Sequence, residues 1–305
     1  MNTKSIAFGL VGLLACLGLA TPAAQGQAPC SLQTFTGTYA FYEKGSSAIF
    51  DPNSQPYPFH WAGAFAPFVT VGEVTAGPDG IGHGFFWIRV GSFNGGLEPI
   101  PLETTITEMN EDCTGKVRAQ FTLPGNPEPT IIVERFILFD NGREYRAVPT
   151  EIVNGAPTLA WIMEGHRISK PGEPLKTCGP QTAKGRYVWA VENLVQFTPD
   201  APIFSDALLL SMDVSMSGDY SGMLYEKLGP TGNIVLPASG KITVNPDCSY
   251  AATLNLTIQS VPVSIPIRGV FFEQGKKLYG LAVDTAQADT GGTYFSFGQG
   301  QRTNP

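Results

Sequence analysis

The sequence predicts an all-β fold, built as two tandem eight-stranded antiparallel up-and-down β-barrels. Three observations predict it. The segment Cys30, Gln33, Thr34, Gly37, Tyr39, Phe41 returns as Cys178, Gln181, Thr182, Gly185, Tyr187, Trp189, and a second landmark, Asn110-Glu111-Asp112-Cys113, returns as Asn245-Pro246-Asp247-Cys248. The paired cysteines lie 83 residues apart in the first copy and 70 in the second. Between these landmarks, short alternating or β-branched and aromatic runs recur, broken by Gly, Pro, Asn and Asp, and no segment sustains a helical period. Finally, 35 Gly and 25 Pro with only 15% charged residues suit a turn-rich all-β chain.

The length of 305 residues accommodates two domains, each large enough for its own core. The expected division is a signal peptide over residues 1–28, an N-terminal barrel over 29–168, a linker over 169–177 and a C-terminal barrel over 178–305. Lys4, the apolar run Ile6 to Ala20 and Thr21-Pro22-Ala23-Ala24-Gln25 have the layout of a secretory signal. The run is shorter than the ~18 apolar residues of a membrane helix, so no transmembrane segment is expected. Leu14-Ala15-Cys16 is a loose lipobox, which leaves lipid anchoring through Cys16 as the alternative to a freely secreted or periplasmic protein.

In the first copy strands are expected near Thr36–Tyr42, Phe68–Ala76, Gly82–Val90, Leu102–Met109, Lys116–Leu123, Thr130–Phe139, Glu144–Ile152 and Thr158–Ile168. The second copy repeats the series near Arg186–Glu192, Ala207–Met216, Tyr220–Leu228, Gly240–Val244, Tyr250–Ile258, Val263–Glu273, Lys277–Asp284 and Thr293–Arg302. Eight sequential strands with short loops are best satisfied by a closed meander, which leaves no exposed edge. Two packed β-sandwiches are the alternative. In a meander the entry to the first strand and the turn between the fourth and fifth lie at one end. Pairing Cys30 with Cys113 and Cys178 with Cys248 is therefore sterically sensible in a chain bound for an oxidising compartment. Gly77-Pro78-Asp79-Gly80 and Asp140-Asn141-Gly142 are tight-turn signals at the same, stapled end.

The opposite end carries the long connections. The stretch from Glu43 to Pro67 holds Phe50, Tyr57, Phe59, His60, Trp61 and Phe65, and reads as a long aromatic loop, either a lid over the barrel mouth or packing that plugs it. The corresponding stretch Asn193 to Asp206 is shorter and less aromatic, so a working pocket is expected in the first copy.

The residues Gly37-Thr38-Tyr39, Asn110-Glu111-Asp112-Cys113-Thr114-Gly115 and Phe139-Asp140-Asn141-Gly142-Arg143-Glu144 resemble those of a widespread group of secreted bacterial domains of unknown function. That group is similar to the allene oxide cyclase and dirigent type of eight-stranded, calycin-like barrel. The resemblance covers both copies and implies the fold. Related barrels include cyclases, stereochemical guides and plain ligand binders, so it implies no single activity. No cyclase catalytic motif matches position by position.

Candidate chemistry is sparse. Arg135 interrupts the apolar run Ile131 to Phe139, and Arg268 stands at the equivalent place in the second copy. Glu73, matched with Asp213, is the expected partner, either as a lumenal pair orienting a polar ligand group or as a structural or surface pair. Glu134 alternates with Arg135, so only one of them can face inward, and Ile267 replaces it in the second copy. A lumenal Glu134 would be a general base with a raised pKa. His60, beside Trp61 and Phe59 at the mouth, is a candidate ligand contact, whereas His83 and His166 fall at the stapled end. Asn255-Leu256-Thr257 is a glycosylation sequon, relevant only in a eukaryotic host. No metal-binding, phosphate-binding or nucleophile motif is present, so no cofactor or metal is expected. A net charge of −7 without a basic stripe excludes nucleic acid as an expected partner. The expected function is binding of a small, largely apolar ligand through the N-terminal barrel mouth. The alternatives are a cyclase or isomerase and a non-catalytic surface or matrix protein with filled barrels.

Overall fold

The computed structural model describes residues 29–50, 61–90, 93–94, 98–125, 127–153, 160–170, 177–196, 204–228, 232–258, 260–283 and 293–303. The first half contains a helical turn α1 (Leu32–Phe35) and strands β1 (Gly37–Phe50), β2 (Trp61–Ala76), β3 (Ile81–Val90), β4 (Phe93–Asn94), β5 (Ile100–Met109), β6 (Thr114–Phe121), β7 (Thr130–Phe139), β8 (Glu144–Val153) and β9 (Ala160–Ser169). The second contains α2 (Pro180–Ala183), β10 (Gly185–Gln196), β11 (Phe204–Val214), β12 (Asp219–Leu228), β13 (Gly232–Val244), β14 (Ser249–Ile258), β15 (Val261–Phe272), β16 (Lys277–Ala282) and β17 (Thr293–Arg302). Both halves close as eight-stranded antiparallel meanders. β1 pairs with β2 and β9, and β2 with β3 in the first; β10 pairs with β11 and β17 in the second. The two-residue β4 is an appendage on β3. Barrels, not sandwiches, result, because closure leaves every long strand with two partners.

Each barrel is stapled as its cysteine spacing predicts, by Cys30–Cys113 and Cys178–Cys248. The repeated letters around them build a plug that the strand pattern alone does not announce. After Cys30 the chain makes one helical turn, in which the Ser31 amide donates to Thr34 Oγ1 at 3.0 Å; Gly179 and Thr182 repeat the bond at 3.1 Å. The turn drives Phe35 into the barrel end, stacked on Tyr39 at 5.0 Å and packed on Phe136 and Tyr145. Burying such a ring contributes roughly 1.5–3 kcal/mol. The chain then enters the first strand through Gly37 and Gly185, both at φ +136°, a conformation open to glycine. Tyr39 Oη donates to the Gly142 carbonyl at 2.7 Å and Tyr187 Oη to that of Gly275 at 2.8 Å, which ties the plug to the turn between the sixth and seventh strands of each barrel. Arg167 and Arg302, which end the closing strands, donate to the carbonyls of Thr34 and Thr182. The Asp-Cys landmarks are turns as well. Cys113 and Cys248 are left-handed, at φ 68° and 72°, with Asp112 and Asp247 accepting from the Thr114 and Ser249 amides.

The expected long loop from Glu43 to Pro67 is a correction. β1 runs on to Phe50 and β2 starts at Trp61, so most of this stretch is a hairpin, and only residues 51–60 fall between its arms. Ser47, Ala48 and Phe50 pair with Ala66, Phe65 and Trp61 beyond the level where β3 and β9 still pair, so the arms project past the mouth. Pro67 read as a loop signal, yet it sits where β3 has already ended, so its missing N–H removes no bond from that side.

The barrels meet along their outer faces. Ala40, Val69, Val71 and Trp87 of the first pack against Val270, Phe272, Tyr279, Leu281 and Val283 of the second in one buried apolar seam. Tyr42 meets Tyr279 at 4.7 Å and His166 stacks on Phe272 at 5.0 Å. Arg89 Nη1 donates to the Ala282 carbonyl at 3.4 Å.

Candidate functional site

Alternation places Tyr39, Phe41 and Glu43 of β1 inside the first barrel, together with Thr70, Gly72 and Val74 of β2 and Ile132, Glu134 and Phe136 of β7. Two carboxyl groups are thereby buried in an apolar lumen. Glu134 is 1% exposed and Glu43 9%. Trp161 Nε1, from β9, donates to Glu134 Oε1 at 2.8 Å. Thr70 stands directly across the β1–β2 ladder from Glu43. Its hydroxyl is near enough to favour the ionised Glu43, but the contact falls short of a hydrogen bond, and the buried Oγ1 has no partner.

Regular alternation along β7 turns Glu134 inward with Ile132 and Phe136. The irregularity beside it belongs to β8, where Thr150 is the extra residue between the partners of Val133 and Glu134 and its Oγ1 donates to the Val133 carbonyl at 3.0 Å.

Burial raises both carboxyl groups. It pushes Glu134 up to about 7, against the opposing hydrogen bond from Trp161. Glu43 is raised well above the ordinary carboxylate range, first by burial and then by the neighbouring Glu134 charge. Tyr145, also lumenal, is held well above the usual phenol value by burial and by the same two charges. Two carboxyl groups that cannot both ionise cheaply act as one unit carrying at least one proton near neutrality. Such a unit both donates and accepts hydrogen bonds. No cation contributes to the titration of either group among the described residues.

The second barrel provides the control. Its registers put Val191 at the place of Glu43, Leu208 at that of Thr70 and Ile267 at that of Glu134. All three are buried in its apolar core. The same architecture therefore closes and packs with hydrocarbon at these positions, and the polar cluster is not a requirement of the fold.

Of the residues singled out from sequence, Glu134 faces inward and Arg135 outward, exposed on the strand surface. The lumenal Arg135–Glu73 pair is thus a correction. Glu73 shares its side of β2 with Val69 and Val71, so it faces the second barrel and not the lumen. There its Oε2 has no partner, and burial, with the Asp247 charge adding, pushes it up to about 8. The matching of Glu73 with Asp213 is also displaced by two residues. Asp213 corresponds to Thr75 and pairs with Arg186 at 3.0 Å, where the first barrel has a Thr38–Thr75 hydroxyl pair. Phe59 and His60 lie outside the described residues. Trp61 opens β2, paired with Phe50. His83 is exposed on β3. His166 lies at the seam, its imidazole pKa lowered by burial despite Glu144 beside it at 3.5 Å. A polar cleft of about 520 Å³ opens next to it between the barrels, lined among others by Arg143, Arg167, Lys170, Glu273 and Lys276. Glu43 and Thr70 were not singled out from sequence. The signal for Glu43 was its place two residues after Phe41 in the inward series, with Val191 at the same offset from Gly185.

No family model matches the chain, and no curated protein matches it. Among solved structures, it is similar to transferrin binding protein B of Haemophilus parasuis Hp5, at 8% identity over 88% of this chain and 76% of that one, with a TM-score of 0.31. The isotype 1 transferrin binding protein B of serogroup B Neisseria meningitidis gives 8% identity over 88% and 77%, at 0.32. A protein of unknown function from the DUF3598 family of Nostoc punctiforme gives 12% over 90% and 99%, at 0.27. At these scores the likenesses carry no argument about activity, and the two-barrel architecture rests on the strand pairings themselves.

Proposed function

We propose that the protein binds a small, largely apolar molecule inside its N-terminal barrel, with a polar group of that molecule held at Glu43, Glu134 and Thr70. One observation carries the reading: a buried acid pair and an unpartnered hydroxyl occupy positions that the second copy fills with Val191, Ile267 and Leu208. Burying polar groups costs free energy unless they are paired, so their retention in one copy alone supports a role in recognition. The C-terminal barrel then serves as scaffold, docked through the apolar seam. The two disulfides fit an extracellular or periplasmic location. Delivery by a cleaved signal over residues 1–28, or anchoring through Cys16, completes this reading. The projecting β1–β2 hairpin, whose second arm opens at Trp61, is the proposed gate of the lumen.

The test is extraction of the protein purified without denaturation, with the released molecule identified by mass spectrometry. A stoichiometric small molecule lost on substituting Glu43 and Glu134 supports the reading, and one retained by that variant opposes it. A second reading, favoured by a carboxyl group titrating at about 7, is an isomerase or cyclase in which Glu134 takes a proton from the substrate and returns it. Cyclases are one of several classes, plain binders among them, on the barrels that the sequence resembles. Turnover abolished in Glu134→Gln with ligand binding preserved separates it from pure binding.

A further inference from the structure

The lumenal cluster also constrains the charge of its ligand. Glu43 and Glu134 supply acceptor oxygens from β1 and β7, and Thr70 Oγ1 supplies a further acceptor from β2, 2% exposed and without a partner. Trp161 takes one oxygen of Glu134, and the Thr70 hydroxyl is the neighbour that favours the ionised Glu43. The walls around them are hydrocarbon and ring, including Phe41, Ile88, Ile132 and Met163. What the cluster lacks among the described residues is positive charge: no cation contributes to the titration of either carboxyl group. A protonated primary amine brings one charge and three N–H donors on a single atom. A carboxylate ligand would instead add a like charge to a site where ionisation is already opposed.

Resting on the lumenal binding proposed above, we infer that the ligand is an amphiphilic primary amine, its ammonium group held by Glu43, Glu134 and Thr70 Oγ1 and its apolar body lying in the first barrel. On binding, the amine replaces the shared proton as the neutralising charge, and each ammonium hydrogen finds one acceptor. A buried charge is tolerated when it is paired and hydrogen-bonded, and the complex meets both conditions. The second barrel, with Val191, Ile267 and Leu208 in these places, offers an ammonium no acceptor and so rejects it.

The experiment is isothermal titration of the full chain with probes matched in shape and differing in head group: n-hexylamine, n-hexanol and hexanoate, then 2-phenylethylamine, 2-phenylethanol and 3-phenylpropanoate. At least one amine is expected to bind about tenfold or more tighter than its alcohol, about 1.4 kcal/mol, with the acid weakest. The double substitution Glu43→Val, Glu134→Ile installs the residues of the second barrel and is expected to bring the amine-to-alcohol ratio to one or below; Glu43→Gln alone guards against a folding failure and is expected to lower the ratio without erasing it, because Glu134 remains. Alcohol binding as tight as amine binding, abolished in the double variant, overturns the amine assignment while leaving the lumenal site standing. Amine binding that the variants leave unchanged places the ligand elsewhere and overturns the inference. Absence of binding by every probe overturns both the inference and the lumenal reading beneath it.

Discussion

Replacing Glu134 by Gln should raise stability in alkaline solution and leave it almost unchanged in acid. The amide keeps an oxygen for Trp161 Nε1, so the substitution removes the titration without orphaning the indole. A carboxyl group moved from its ordinary 4.5 up to about 7 binds more protons folded than unfolded across that interval, so its contribution is fully present below 4.5 and is lost as pH rises towards 7. At 1.36 kcal/mol per pH unit the loss comes to about 3 kcal/mol above neutrality. The variant escapes it. With roughly 2–4 °C per kcal/mol for a chain of this size, Tm should rise by roughly 6–12 °C at about pH 8.5 and by under about 2 °C at about pH 4. Thermal melts followed by near-ultraviolet circular dichroism at the two pH values measure this directly. An equal shift at both values, or a fall at the alkaline one, would refute the assignment of Glu134 as a buried group that resists ionisation. The same substitution should lower the titration of Glu43, because it removes the neighbouring charge.

Three other outcomes follow from the duplication and the seam. Tyr39→Phe and Tyr187→Phe each orphan the carbonyl of a turn glycine, and urea denaturation should register losses of about 1–3 kcal/mol in both cases. Loops of 83 and 70 residues make each disulfide worth about 4–5 kcal/mol in the chain-entropy picture, so alanine pairs at Cys30/Cys113 and Cys178/Cys248 should destabilise their barrels about equally. Ionising Glu73 against Asp247 loads the seam, because its contribution is present below 4.5 and is lost by about 8. Amide protection factors in β2 and β16, corrected for the intrinsic rise of exchange with pH, should therefore fall between about pH 6 and 9 in the native chain, and not in Glu73→Gln.

The repeated motif was legible because both copies keep it for one physical reason. Cysteine, helical turn, positive-φ glycine and tyrosine together form a plug in each barrel. The helical turns themselves escaped notice, since four residues are too few to show a period. The inward direction of Glu134 was readable only as an alternative to that of Arg135, because alternation fixes relative and not absolute facing. Glu43 was hidden by its neighbours. Gly45, Ser46 and Ser47 look like a turn, and the ladder that makes Gly45 and Ser46 part of a closed strand comes from β9, more than a hundred residues away, while Ser47 pairs with β2 alone. Glu73 looked lumenal because a charged residue within an apolar strand suggests a pocket. The second apolar environment, another barrel packed on the outside of β2, lies in no local pattern.

Central to the proposed function is a working first lumen beside a filled second one. A crystal structure of the chain with its co-purified molecule tests this most directly. One molecule per chain is expected in the N-terminal barrel, with a polar atom within about 3 Å of oxygens of Glu43 and Glu134. A molecule found in the C-terminal barrel, or in the charged cleft between the barrels beside His166, with the Glu43–Glu134 cluster untouched, would contradict it.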